Sequence, residues 1–438
     1  MRDIFLTGFF FAVLTQVFKR PYIGILLMAW VGYMSPHRLT WGFTYSMPFA
    51  MMATVVTLFV AILFICSKNM KKSYGKSLFP WTFSTYVLVF FIFWVCMTTI
   101  TAENPSHAAE SLEKFIKVQV GIFLTLLLIN TKERLIMLVA VITFSIGFYG
   151  IKGGVFAIAT GGSYRVWGPE GSFVEGNNEI ALALIVVLPF IYFFFTYMKQ
   201  KWVKNVLILC ALLMLASIIS SYSRGAFLAL IGMGGFLWLH SKNKIGIGLV
   251  VFILVIAALP LMPAEWFERM DTIKTYDEDA SAQGRINAWH MAFNLAKDRI
   301  MGGGYDVWGY RVFLQYAPDP TDVKDAHSIY FEVLGEHGFI GLFLFLLFYF
   351  SIWFKASSVI KSAKKCDDSE WIVVLAQMSK VSLVGYALGG AFLGLAFFDL
   401  PYHVASIILL LSSIVNNLPE KKNDNLSGTA FSSLSNKN

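Results

Sequence analysis

Asn178-Glu-Ile-Ala-Leu-Ala-Leu-Ile-Val-Val-Leu-Pro-Phe-Ile-Tyr-Phe-Phe-Phe-Thr-Tyr197 carries a single charged side chain, and Lys199, Lys201 and Lys204 follow at once. A helix rises ~1.5 Å per residue, so such a run crosses the ~30 Å hydrocarbon core of a bilayer. A barrel strand would show alternation, which this run lacks. Comparable apolar runs lie at about 22–34, 47–66, 81–100, 112–129, 133–160, 203–221, 223–239, 244–261, 328–354, 371–396 and 402–415. Together they predict an all-α polytopic membrane protein of twelve spans, with residues 4–18 a thirteenth span or a helix lying along the interface. Composition agrees: 57% of the 438 residues are hydrophobic and 14% charged, against ~25% charged in a soluble domain. Met1-Arg-Asp-Ile-Phe-Leu6 has no basic region leading to a small-residue cleavage site, so no removable signal peptide is expected.

The net charge of +8 would suggest nucleic acid in a soluble chain. Here the lysines fall between apolar runs, where they set orientation, and nucleic-acid binding is rejected. Lys68, Lys71, Lys72 and Lys76 fill one loop. Lys132 and Arg134, then Lys199 to Lys204, then Lys242 and Lys244, then Lys355, Lys361, Lys364 and Lys365 fill every second loop after it, with Lys421 and Lys422 in the tail. These are the cytoplasmic loops by the positive-inside rule, so the long segment 262–327 lies outside. Cys66, Cys96, Cys210 and Cys366 have neither metal-type spacing nor a disulfide pattern.

The few cations on the outer side are therefore notable: Lys114, Lys117, Lys152, Arg165, Arg224 and Arg285. Lys152 lies within a span, about two turns from its outer end. Ionisable groups at membrane depth are costly and mark function by default, which suggests an outward anion site. The competing reading is snorkelling, or pairing with Glu103, Glu110, Glu113, Glu175 or Glu179. Within the outer segment, Gly284 to Ala296 places Arg285, Trp289 and Phe293 on one face of an amphipathic helix. Arg285 sits at its N-terminal end, where the helix dipole also favours an anion. Gly302-Gly-Gly-Tyr-Asp306 and Pro318-Asp-Pro320 read as turns, and nucleotide-loop spacings are absent. Asp277-Glu-Asp279 reads as a solvated acidic run, because adjacent side chains diverge where metal ligands must converge.

The outer segment closes on Asp325-Ala-His-Ser-Ile-Tyr-Phe-Glu-Val-Leu-Gly-Glu-His-Gly338, which puts His327 at a boundary between water and membrane. Four motifs occur in order: Ser223-Arg-Gly-Ala226; Gly284-Arg285 with Trp289; Met301-Gly-Gly-Gly-Tyr305; and Ala326-His327-Ser328 followed by Glu336-His-Gly338. This series resembles the O-antigen ligase and O-antigen polymerase superfamily. Ser35-Pro-His-Arg-Leu-Thr-Trp-Gly42, and Tyr164-Arg-Val-Trp-Gly-Pro169 leading to Asn177-Asn178, are similar to its exosortase-A-associated O-glycosylation ligase branch.

The resemblance implies a GT-C-like membrane glycosyltransferase that moves a glycan from undecaprenyl diphosphate to an acceptor hydroxyl. Such an enzyme must stabilise the leaving diphosphate, which arginine does by bidentate hydrogen bonding. Arg224 and Arg285 are the leading clamps, with Arg165 and Lys152 in support, and His327 takes the acceptor proton. No metal and no cofactor are expected, and the anomeric centre inverts. The family often carries asparagine after the histidine where this chain has Ser328. His337 and His403 are read as structural, and the many phenylalanines as facing lipid or lining a groove for the polyprenyl chain.

The expected partners are the undecaprenyl-diphosphate-linked glycan, an acceptor that is a protein, a lipid A core or another glycan, and membrane lipids. The expected place is the bacterial inner membrane, with the site facing the periplasm. Four sections follow: a multi-span part over 1–198, a ligase-like core over 199–355, C-terminal helices over 356–418 and a polar tail over 419–438. A polysaccharide polymerase is the nearest alternative within the fold. A polyprenyl-glycan transporter or a non-catalytic scaffold is the alternative outside it, although no internal repeat of the transporter kind is apparent.

Overall fold

The computed structural model describes residues 1–66, 79–240, 244–246, 248, 267 and 280–419. Lys68, Lys71, Lys72, Lys76, Lys242, Lys421, Lys422 and Asp277-Glu278-Asp279 lie outside the described residues, as does most of the run 244–261. Among the described residues every regular element is helical. In chain order they are α1 Arg2–Val17, α2 Tyr22–Met34, α3 Phe49–Cys66, α4 Phe83–Ile100, α5 Pro105–Leu128, α6 Lys132–Ala159 and α7 Asn177–Tyr197. After these come α8 Lys201–Ile219, α9 Arg224–His240, α10 Ala280–Asp298, α11 Tyr310–Tyr316, α12 Ile329–Ala363, α13 Glu370–Gly390 and α14 Asp399–Val415.

Seven of the described helices, α3, α4, α6, α7, α8, α12 and α13, are long and apolar enough to cross a bilayer. α2, α9 and α14 are apolar but shorter. Seven of the twelve runs read from hydropathy are thus helices of spanning length and composition among the described residues. α5 falls short in composition because Glu110, Glu113, Lys114 and Lys117 occupy its first turns. α1 packs along α2 and α3 through Leu6, Phe10, Leu14 and Val17. Its start is tied to the loop after α2, where the Thr44 hydroxyl donates to Asp3 Oδ1 at 2.7 Å.

α14 and α7 form the centre of the bundle. α14 is buried from Leu400 to Ser412, its polar His403, Ser406 and Ser412 included, and packs against α5, α6, α7, α12 and α13. α7 buries Ile180 to Val187, Pro189 to Ile191, Phe193 and Phe194 against α6, α8, α9 and α13. Outer helices do the reverse. Val55, Phe59, Ile62 and Leu63 on α3, and Val206, Ile208, Leu209 and Leu212 on α8, are exposed, and so continuous an apolar surface suits a bilayer rather than water.

The two ends of the bundle differ in charge. At one end Lys132 lies over the rings of Tyr197 and Trp371, at 5.8 and 5.2 Å, joining the start of α6, the end of α7 and the start of α13. The loops 35–48, 101–104, 160–176, 220–223, 299–328 and 391–398 gather at the other end. Glu103 N donates to Gly303 O at 2.8 Å, Val166 N to Ser220 O at 3.1 Å, and Ala396 N to Glu332 Oε2 at 3.0 Å.

Candidate functional site

Two short turns that each carry a positive-φ residue frame the site. Tyr222 and His327 both adopt left-handed backbone, φ 58° and 43°. Each is followed by a serine and then by the first residue of a helix, Arg224 of α9 and Ile329 of α12. That region is sparsely populated by side chains other than glycine, asparagine, aspartate and histidine, and strain held in a well-packed setting is characteristic of functional turns. The setting here is fixed by hydrogen bonds. Ser223 Oγ accepts from Ala226 N at 3.2 Å as an N-cap. Asn177 Nδ2 donates to Ser221 O at 2.7 Å, and the Tyr222 hydroxyl donates to Gly162 O at 2.7 Å.

Arg224 and Arg285 line one recess together with Asn178, Ser223, Gly225, Ser281 and Phe392. The recess has a volume of about 30 Å³. The first turns of α7 and α9 contribute Asn178, Arg224 and Gly225, and α10 contributes Ser281 and Arg285. Backbone N–H groups at helix starts carry partial positive charge, so two helix starts and two guanidinium groups meet at one point. That is the electrostatics of an anion site.

His327 is placed by α10. The helix expected over 284–296 is present, and its face Arg285, Trp289 and Phe293 turns toward α12. Trp289 Nε1 donates to Ala326 O at 2.8 Å and its ring stacks on Phe331 at 4.8 Å, while Phe293 meets Phe339 edge-on at 5.8 Å. Asn287 holds the incoming strand at its other end, donating to Asp319 O and accepting from Asp319 N. Segment 319–326 is thereby laid along α10, and it ends with His327 directly after the residue held by Trp289, one turn past Arg285. Burial first, then the Arg285 guanidinium, hold the His327 imidazole below its ordinary pKa, against the opposing charges of Asp325 and Glu179. The neutral, proton-accepting form is favoured. The hydroxyl of Ser328 is buried with no hydrogen-bond partner among the described residues.

The glycine turn and Glu336-His337-Gly338 serve each other instead. Gly303 N and Gly304 N donate to Gly335 O and Glu336 O at 2.9 and 2.8 Å. Glu336 Oε1 accepts from Asp306 N and from Trp308 Nε1, both at 3.2 Å. Gly338, at φ 67°, bends α12, and a side chain there would run into the Ile300 carbonyl. His337 is fully buried with Nδ1 2.7 Å from the Thr98 hydroxyl, and His403 Nδ1 is 2.8 Å from the Tyr33 hydroxyl. Both histidines sit in the packing, away from the recess.

Of the residues selected from sequence, the structure brings Arg224 and Arg285 into one recess, which His327 does not line, and ties the turn of His327 to α10 through Trp289, one turn past Arg285. Arg165 is exposed, with its guanidinium 5.9 Å from the Tyr222 ring, beside the arginine turn but outside the recess. Lys152 is exposed on α6 and does not line it. Sequence reasoning gave no role to Ser281, Phe392 or Asn178, which line the recess, and named Glu179 only as an ion-pair partner although it lies near His327. The pair Asn177-Asn178 at a helix start was the available signal. Among the described residues no group of three acidic, histidine or cysteine side chains is placed to hold a metal ion.

Residues 209–346 match the profile of a family described as O-Antigen ligase, and residues 1–200 match that of a family of unknown function. No curated protein matches the chain at a significant level. The first match contains Arg224, Arg285 and His327; the second contains Asn178, Arg165 and Lys152.

Proposed function

We propose that this chain, whose residues 209–346 belong to the O-antigen ligase superfamily, is a membrane glycosyltransferase that moves a glycan from undecaprenyl diphosphate to an acceptor hydroxyl. The observation that carries the reading is the shared recess of Arg224 and Arg285, with the turn of His327 tied to the same helix one turn past Arg285. In the reaction the acceptor oxygen attacks the anomeric carbon, and the bond from that carbon to the diphosphate oxygen breaks. Undecaprenyl diphosphate leaves with the electron pair. Arg224 and Arg285 hold its growing negative charge by charge-assisted hydrogen bonds, which also gives the step its positive charge without a metal. His327, kept neutral, takes the acceptor proton. Attack from the face opposite the diphosphate inverts the anomeric centre. Arg165 then meets the donor at the rim, and Lys152 stays outside the clamp.

An apolar groove of about 290 Å³ between α12 and α13 supports a polyprenyl carrier. Its lining runs from Ile329 and Tyr330, two and three residues past His327, to Trp353 at the far end. A carrier with its diphosphate at the arginines would lay its tail there. Lysine-rich loops at the opposite end of the bundle support a periplasmic site in a bacterial inner membrane.

The test is to incubate the purified protein with undecaprenyl-diphosphate glycan and a panel of acceptors, and to identify the product by mass spectrometry. Product on serine or threonine defines a protein ligase, product on lipid A core an O-antigen ligase, and a lengthened lipid-linked chain a polymerase. No covalent product, with glycan instead crossing proteoliposome membranes, overturns the reading in favour of transport. Activity lost in EDTA and restored by a divalent ion overturns its metal-independent form.

A further inference from the structure

The loop 160–176, which joins α6 to α7, falls within the segment matched to a family of unknown function. Structureless connections of this length are uncommon and usually functional. This one is rigid around an exposed tryptophan. On one side of Trp167, Val166 N donates to Ser220 O at 3.1 Å. On the other, Gly168 N donates to Glu175 O at 2.8 Å, and Gly168 lies so close to the Val174 carbonyl that a side chain there would collide with it. Glu175 Oε2 accepts from Gly171 N, and the Ser172 hydroxyl donates to Pro169 O. The indole between these anchors is nevertheless 59% exposed, and Tyr164 nearby is 64% exposed. A large ring on a fixed backbone has already lost much of the freedom that binding would remove.

The loop's chemistry is unlike that of the recess beside it. Glu170 and Glu175 are both exposed on it. The loop's own cation, Arg165, is turned back toward the Tyr222 ring, and Arg38, which reaches Gly171 from the loop after α2, lies over the Tyr45 ring. Carboxylates disfavour a phosphate or an anionic lipid headgroup and accept hydrogen bonds from hydroxyl groups. An aromatic face carries negative potential that attracts the C–H groups on the apolar side of a sugar ring. The attachment point is also informative: Ser220 lies in the same turn that presents Ser223 and Arg224 to the recess.

We propose that Trp167, with Tyr164, Glu170 and Glu175, forms a glycan subsite beside the arginine recess that holds the sugar chain of the lipid-linked donor while its diphosphate sits at Arg224 and Arg285. This rests on the glycosyltransferase reading above. Trp167 is a specificity residue for the sugar portion and takes no part in bond breaking.

The test uses the full-length protein in nanodiscs, with lipid-linked glycan extracted from the host's membranes and with bare undecaprenyl diphosphate as a competitor. Trp167→Ala should raise KM for the glycan donor about tenfold with kcat little changed, Trp167→Phe should restore most of the loss, and inhibition by bare undecaprenyl diphosphate should stay the same. Trp202→Ala, an exposed tryptophan at the other end of the bundle, should change nothing. An unchanged KM in Trp167→Ala overturns the subsite. An equal weakening of bare undecaprenyl diphosphate overturns it too, and makes Trp167 a lipid contact. Failure of the glycosyltransferase reading looks different, because the parent protein itself would then form no glycosylated product.

Discussion

At the scale of single residues, the account depends on the difference between charge and geometry at Arg285. A guanidinium matches a diphosphate with two parallel N–H donors, whereas an ammonium is a point charge. Arg285→Ala and Arg224→Ala should each lower kcat/KM by about 10²–10³-fold, the usual effect of deleting a donor aimed at developing charge. Arg285→Lys should fall in between, and full activity in that variant would show that charge alone suffices. His327 makes a separate prediction in pH. The proposed role as base requires the neutral imidazole, and burial and Arg285 hold its pKa below the ordinary value. The rate should therefore persist as pH falls to ~6.5 and be lost only below it, through that lowered pKa. An acid limb in kcat/KM centred above pH 7 would contradict the assignment.

At the scale of elements, α10 decides where His327 stands. Trp289→Phe keeps a ring to stack on Phe331 but loses the donor to Ala326 O. It should cost about 1 kcal/mol of stability and lower kcat with little change in donor KM, as loosened placement of the base requires. The face Arg285, Trp289, Phe293 was legible in the sequence because its spacing is local. The pairing of Gly303 and Gly304 with Gly335 and Glu336 was not, since it joins segments some thirty residues apart through backbone hydrogen bonds that leave no periodic trace. Glu336-His337-Gly338, part of the family resemblance with its histidine read as structural, holds the turn and the bend in α12. Gly338→Ala forces a side chain into left-handed backbone against the Ile300 carbonyl. It should destabilise by ~1–3 kcal/mol, read as a lower Tm, whereas an unchanged Tm would show that the bend is not required.

At the scale of the whole molecule, hydropathy identified the helical membrane class and charge patterning distinguished the two ends, but neither found the centre. α14 is a short apolar run like several others, yet it is the element buried on all sides. Lipid tails and a protein core are equally apolar, so composition does not separate a helix facing one from a helix facing the other. The arginine recess was legible as a set of outward cations but not as a shape, because its lining comes from α7, α9, α10 and the loop after α13. Orientation is testable in chains with the four native cysteines replaced. Thr321→Cys, exposed at the site end, should react with an impermeant maleimide added outside intact spheroplasts. Lys364→Cys, exposed at the other end, should react only after permeabilisation, and the reverse pattern would put the site in the cytoplasm. The central claim, that glycan leaves its lipid diphosphate at Arg224, Arg285 and His327, is tested most directly by following release of undecaprenyl diphosphate together with glycosylated acceptor in a single turnover. The parent protein should form both in equal amounts, while folded Arg285→Ala and His327→Ala should form neither at more than about a hundredth of that rate. Equal rates in all three would contradict it.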